Sequence, residues 1–283
     1  MAKIIAVANQ KGGVGKTTTS VNLSACLAAA EKKTLLIDLD PQGNASSCLG
    51  VEKEVFSKSN IYHALINEES FDNCVYKTEL PFLDLCPSNN DLVGAELELV
   101  HMFARESKLK VALEAIQNNY DYIIVDCAPS LNLLTVNAFT AAHTYLVPMQ
   151  TEYLAMEGLS QLLNTVRLIR ASLNPKLSLE GILLTMYDSR NNLCKLVASD
   201  LMTHFKDDIL KSIIPRNVKL SECTSFGKPI ILYDITSKGS EAYLSLAREI
   251  ILKSEKKPEL NQAKIPLNQY IPKFEDYQVQ SQE

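Results

Sequence analysis

Residues 10–20 read QKGGVGKTTTS, and the residue types in that stretch suit one chemistry, the holding of a polyphosphate. Gly12, Gly13 and Gly15 let backbone N–H groups turn toward an anion with no Cβ in the way. Lys16 stands where a lysine reaches β- and γ-phosphates, and Thr17 where a hydroxyl ligates Mg2+. The usual pattern, G-x-x-x-x-G-K-[ST], is met only at its end, because Gln10 occupies the place of the first glycine and Lys11 follows it. The departure is an addition of charge to the loop. Two acidic segments complement it. Asp126 closes the apolar run YDYIIVDC, and Asp38 and Asp40 close TLLIDLDPQGN. Carboxylates at the carboxyl ends of strands lie where open α/β sheets bind ligands, and one of them commonly holds the metal through water.

These groups need elements to carry them. KIIAVA (3–8), the loop and KTTTSVNLSACLAAA read as strand, loop and helix, the context a phosphate loop requires. Further strands are expected at 34–39, 82–87, 122–127, 144–149 and 181–186, with a shorter one at 212–215. Several are apolar on both faces, as strands covered by helices are. Helices are expected at 16–30, 91–118, 131–142, 156–173, 193–206 and 238–253. The alternation predicts an α/β fold, a mostly parallel twisted sheet flanked by helices, in one domain over residues 1–253. From Ser254 onward, Pro258, Pro266 and Pro272 forbid a continuous helix, so 254–283 reads as an extended or disordered tail.

Composition narrows the class. In 283 residues, 46% hydrophobic and 22% charged content are those of a soluble globular protein. A net charge of −5 excludes a uniformly basic protein, though not a local basic patch. The seven cysteines contain no C-x-x-C pair, which fits a reducing cytoplasm rather than disulfides or a zinc site. No run approaches the ~20 apolar residues of a membrane span.

Four segments, KGGVGKTTTSVNL, LLIDLDPQGNAS, YDYIIVDCAPSL and IPRNVKLSE…GKPI, resemble in order and spacing the ParA/Soj family of deviant Walker A (SIMIBI-type) P-loop ATPases. The family segregates chromosomes and plasmids. The resemblance covers roughly residues 1–253 and implies ATP and Mg2+ as cofactors. It implies that Gly12, Gly13, Val14, Gly15, Lys16, Thr17 and Thr18 cradle the phosphates, and that Thr17, Asp40 and Asp126 surround the metal. Asp40 would also orient the attacking water. Lys11 would reach across a nucleotide-sandwich homodimer to the partner's phosphates, with Gly12 kept small by the partner's approach. Met186, Pro215, Arg216 and Asn217 would border adenine. No [NT]-K-x-D stretch of the kind that reads guanine occurs, which favours ATP over GTP.

The segment 187–253 holds ten Lys/Arg against eight Asp/Glu, mildly basic in an acidic chain. Arg190, Lys195, Arg216 and Lys219 are the candidates for a DNA-facing surface, and the resemblance singles out Arg190 and Lys219. A dimer doubles such a patch and makes phosphate binding salt-sensitive and sequence-independent. The implied protein is a cytoplasmic, nucleoid-associated ATPase whose slow hydrolysis is stimulated by a ParB-type centromere-binding partner, with no membrane involved. Departures from the family pattern are Ala128 in place of a second proline, ECTS at 222–225, and Lys219, which cannot grip phosphate bidentately as arginine does.

Three rivals share the loop. A MinD-like positioning ATPase would end in an amphipathic membrane helix, which the proline-containing tail does not supply. A nitrogenase-reductase-like protein would need cluster cysteines, for which Cys86 and Cys127 are the nearest candidates. A ligase of the dethiobiotin synthetase type would leave the basic residues unexplained.

Overall fold

The computed structural model describes residues 1–51, 59–67, 69–152 and 155–255. In chain order the elements are β1 (Lys3–Val7), α1 (Lys16–Ala29), β2 (Thr34–Leu39), α2 (Asn44–Cys48), α3 (Ile61–Ile66), β3 (Tyr76–Lys77) and β4 (Leu83–Cys86). They continue with α4 (Leu92–Val100), α5 (Lys108–Glu114), β5 (Tyr122–Cys127), α6 (Leu133–Ala141), β6 (Thr144–Gln150) and α7 (Ala155–Ser172). The last are β7 (Ser178–Thr185), α8 (Asn192–His204), α9 (Val218–Ser225), α10 (Ile230–Tyr233) and α11 (Lys238–Glu255).

The strands form a seven-stranded sheet in the order β3-β4-β2-β5-β1-β6-β7. All pairs are parallel except β3 with β4, at one edge. Each strand feeds two cores because its side chains alternate. Ile4 and Ala6 of β1 enter one apolar layer with α4, α6 and α7, while Ile5 and Val7 enter the other with α1 and α11. That is why these strands read as continuous apolar runs. On the second face α11 is pinned to α1 by a buried contact of 3.2 Å between the Tyr243 and Thr19 hydroxyls. The α/β expectation and the six main strands are borne out.

Two expectations change. The stretch 91–118 is broken into α4 and α5 because Ala104 adopts a left-handed φ of 52° and ends the helical path. The break is held on both sides. Arg105 donates to the Val100 carbonyl (2.9 Å), Asn137 donates to the Arg105 carbonyl (2.8 Å), and the Leu109 N–H donates to Asn137 (3.1 Å). Residues 212–215 run beside the β7 edge without forming a strand, with isolated bridges at Ile209 and Pro215. Pro215 has no N–H to give, and the N–H groups of Lys211 and Ser212 go instead to the Glu249 carboxylate (both 2.9 Å). The tail expected from Ser254 lies outside the described residues apart from Ser254 and Glu255, which complete α11. Among the described residues no helix is long and apolar enough to cross a membrane.

Candidate nucleotide site

The strand order brings the chemistry together. β5 lies between β1 and β2, so the carboxyl ends of three strands share one edge. In register, Val7 neighbours Asp126 and Asp126 neighbours Asp38. The loop between β1 and α1 therefore opens directly over two carboxylates that lie 88 positions apart in the chain.

The loop is fixed by three anchors. Asn9 is buried, donates to the Pro148 carbonyl (2.8 Å) at the end of β6, and accepts from the Lys11 N–H (3.0 Å). The Thr185 hydroxyl donates to the Val14 carbonyl (2.8 Å), tying the loop to the end of β7. Gly15, with φ of 86°, makes the sharp entry into α1 that a residue with a Cβ resists. Thr17 and Thr18 then occupy the first turn, where the helix N–H groups are unpaired and favour an anion.

The two loop lysines have opposite environments. Lys16 is only 6% exposed, and its ammonium donates to the Lys11 carbonyl (3.0 Å). Burial lowers its pKa, against the opposing attraction of Asp126 and Asp40. The side chain of Lys11 is 36% exposed and forms a close ion pair with Glu152. Gly12 also departs from its neighbours. Its φ is not left-handed, and a Cβ built on it would meet nothing within 4 Å. Among the described residues nothing requires glycine there.

The acidic side is equally ordered. Asp38 is fully buried and accepts from the Ser46 N–H (2.9 Å), the Ser46 hydroxyl (2.7 Å) and the Asp40 N–H (3.3 Å). Asp126 is fully buried as well, with its Oδ1 2.8 Å from the Ser20 hydroxyl, itself 3.0 Å from the Lys16 carbonyl. Burial raises the pKa of both carboxyls; repulsion from Asp40 adds to the effect at Asp38, and repulsion from Asp38 and Asp40 adds to it at Asp126. Thr17 and Ser20 oppose that rise at Asp126. Among the described residues Asp126 Oδ2 is buried without a hydrogen-bond partner, with the Thr17 side chain near the same carboxyl, so this oxygen is available to a ligand. Together with the Thr17 hydroxyl it fits a hard, oxygen-seeking cation such as Mg2+, which keeps several waters and takes few protein ligands. Asp40 is 8% exposed and begins a turn in which its Oδ1 accepts from the Gln42 N–H (3.0 Å).

The base-side candidates also converge. Met186 takes a left-handed φ of 50°, accepts a contact from Gln150 Nε2 at its sulfur (2.8 Å), and lies beside Gly15. Tyr187 bridges to Pro215, and the Arg216 N–H donates to the Tyr187 carbonyl (3.0 Å). Asn217 spends its side-chain oxygen capping α9 at the Lys219 N–H (2.8 Å), which leaves its amide NH2 as the group able to face a base.

Of the basic candidates, two share a centre. Arg190 grips Asp188 with both Nε (2.9 Å) and Nη2 (2.8 Å), and Arg216 is close enough to act on the same carboxyl. These cations hold Asp188 well below the usual carboxylate range. Lys219 pairs with Glu222 (2.8 Å) and lies over the Tyr233 ring. Lys195 is exposed in the first turn of α8. Cys86 and Cys127 sit fully buried in strands with burial pushing both thiols up, the condition of packing residues rather than ligands.

Sequence reasoning passes over Ser20, Ser46, Gln150, Glu152 and Thr185. Ser20 is within its reach, since it follows Lys16 by four and so shares its helix face. Ser46 turns back from α2 to Asp38 of the preceding strand, whereas Gln150, Glu152 and Thr185 depend on contacts with residues far apart in the chain.

Comparisons with known proteins agree with this geometry. A family model described as an AAA domain matches residues 2–179. The chain is 53% identical over 251 residues to the chromosome partitioning protein ParA of Myxococcus xanthus (strain DK1622), spanning 89% of this chain and 88% of that protein. It is 55% identical over 250 residues to the sporulation initiation inhibitor protein Soj of Bacillus subtilis (strain 168), spanning 88% and 98%. A solved cobyrinic acid a,c-diamide synthase from Mycobacterium smegmatis, with ADP and magnesium bound, matches with a TM-score of 0.80 at 35% identity, over 91% of this chain and 97% of that one. Identity above one half along nearly the whole length, with both loop lysines and the strand-end aspartates in place, means that the chain belongs to the ParA/Soj family of chromosome-partitioning P-loop ATPases.

Proposed function

We propose that this protein is a switch in which ATP joins two subunits, the dimer binds DNA without sequence preference, and hydrolysis, stimulated by a ParB-type partner, releases it to drive chromosome or plasmid partitioning. The unit that acts is residues 1–253, in the cytoplasm on the nucleoid. The observation that carries the reading is the opposed placement of the two lysines. Lys16 is buried with its ammonium on the loop's own Lys11 carbonyl, while the Lys11 side chain is partly exposed and pairs with Glu152.

The proposed roles are these. Backbone N–H groups of 12–18 and the Lys16 ammonium hold the phosphates, and Lys11 supplies a cation to the partner's triphosphate, offsetting charge that develops in the transition state. Thr17 and Asp126, with Asp40 nearby, would hold Mg2+, which would supply positive charge against the triphosphate. Asp40, at the turn that begins after β2, orients the attacking water and senses loss of the γ-phosphate. Met186, Pro215, Arg216 and Asn217 border the adenine.

For DNA, Arg190 and Arg216 form the centre of the patch, with Lys195 and Lys219 extending it. In the free protein Arg190 is held by Asp188, but its side chain is 87% exposed. Solvent screens such an exposed pair, so releasing it costs little, less than several phosphate contacts return through counterion release. The test is binding to random-sequence duplex DNA with ATP, with ADP and without nucleotide, for the native protein and Arg190→Ala. The expected result is ATP-dependent, salt-sensitive binding that the substitution weakens and whose salt slope it reduces. No binding with any nucleotide, from protein that is dimeric and ATP-loaded, overturns the reading.

The likeness to the diamide synthase favours a second reading, an ATP-dependent ligase. It is the weaker one, because 35% identity to that protein stands against 53% and 55% to partitioning proteins. Amide formation with no DNA binding would select it.

A further inference from the structure

Lys11 has a second partner that the dimer reading does not use. Its ammonium pairs closely with the carboxylate of Glu152, 141 positions later in the chain. Glu152 lies in the turn between β6 and α7, held by its own N–H donating to the Gln150 carbonyl (3.0 Å) and by its carbonyl accepting from the Ala155 N–H (3.0 Å). Asn9 holds the other side, since it bonds both the Lys11 N–H and the Pro148 carbonyl of β6. The backbones at both ends of the pair are thus fixed to the same strand end. Among the described residues the Glu152 carboxylate has no other partner.

We propose that Glu152 is a positioning residue that latches Lys11 within its own subunit, so that the lysine passes only to a partner carrying a triphosphate. The inference rests on the reading that Lys11 acts in trans. One ammonium cannot remain on Glu152 and also sit on phosphates across an interface, so each subunit breaks this pair to dimerise. A triphosphate, with more negative charge than one carboxylate, draws the lysine across, and a diphosphate does so less. Glu152 thereby sets the threshold of assembly and sharpens the difference between ATP and ADP. The side chains are 36% and 50% exposed, so the latch is weak enough to open. An exposed pair of this kind is worth about 1.4-fold to fivefold in an equilibrium constant, and two pairs about twofold to thirtyfold.

The test is sedimentation velocity on the full chain over a range of ATP and ADP concentrations, for the native protein, Glu152→Gln, Glu152→Asp and Lys11→Ala. The latch predicts that Glu152→Gln dimerises about twofold to thirtyfold more tightly with ATP and begins to dimerise with ADP, while Glu152→Asp stays near the native value. A Lys11→Ala protein that dimerises like the native one overturns the trans reading, and the latch with it. If Lys11→Ala abolishes assembly and Glu152→Gln leaves it unchanged or weakens it, the trans reading stands and the latch is wrong.

Discussion

Gly12 separates what the loop needs for itself from what it needs for a partner. Its φ is not left-handed and an added Cβ meets nothing within 4 Å, so Gly12→Ala is free of strain in the isolated subunit. Alanine at a compatible position stabilises a protein by about 0.4–1 kcal/mol, because the unfolded chain loses freedom. At about 2–4 °C per kcal/mol for a chain of this size, Tm in the absence of nucleotide should rise by ~1–4 °C. Gly13 is the control. Its φ is 75°, and a Cβ in the left-handed region costs about 1–2 kcal/mol, so Gly13→Ala should lower Tm by ~2–8 °C. In the dimer the order reverses. If the partner passes close to Gly12, the extra methyl overpacks the interface at about 1–3 kcal/mol per subunit, which is at least ~30-fold in the dimer constant when both subunits carry it. Thermal unfolding followed by circular dichroism and sedimentation with ATP measure the two effects separately. A Gly12→Ala protein that melts as low as Gly13→Ala would show that the glycine serves its own loop. One that is stabilised and still dimerises like the native protein would refute the close approach.

Two further results are expected. The buried Asp38 and Asp126 carboxyls have pKa values raised by burial, with added repulsion from Asp40 at Asp38 and from Asp38 and Asp40 at Asp126. They favour the folded state below the ordinary carboxylate pKa, and that advantage is lost as pH rises toward neutrality. In the metal-free protein, Asp126→Asn should therefore raise stability at pH 7–8 by on the order of 2 kcal/mol, with little gain near pH 4, while abolishing ATP hydrolysis. Denaturant unfolding at the two pH values measures it, and an equal gain at both would contradict the assignment. Thr185→Val removes the donor to the Val14 carbonyl and should cost about 1–3 kcal/mol of stability. ATP affinity, read by calorimetry, should fall with it because the loop loses its tie to β7.

The phosphate loop is legible in the sequence because it is local. Glycines at 13 and 15, a lysine and a helix start lie within one short segment, and short-range sterics dictate their conformation. The strand-end aspartates are legible too, since an apolar run that stops at a carboxylate marks the sheet's edge in either order of strands. The break at Ala104 is not, because it depends on Asn137 reaching back from α6 to the Arg105 carbonyl and the Leu109 N–H. The irregular path at 212–215 depends in the same way on Glu249 of α11 taking two backbone donors.

From the sequence alone come the chemistry that each segment can perform, the fold class, and the presence of a second lysine ahead of the usual one. Tertiary structure decides which groups meet. The insertion of β5 between β1 and β2 sets Asp126 beside Asp38, and among the described residues Asp126 Oδ2 is buried without a hydrogen-bond partner. The turn after β6 gives Lys11 a carboxylate within its own subunit, and the path after β7 gathers Arg190 and Arg216 around Asp188. Backbone preferences act over a few residues and are written in each segment, whereas strand order is settled by burying apolar faces contributed by the whole chain at once.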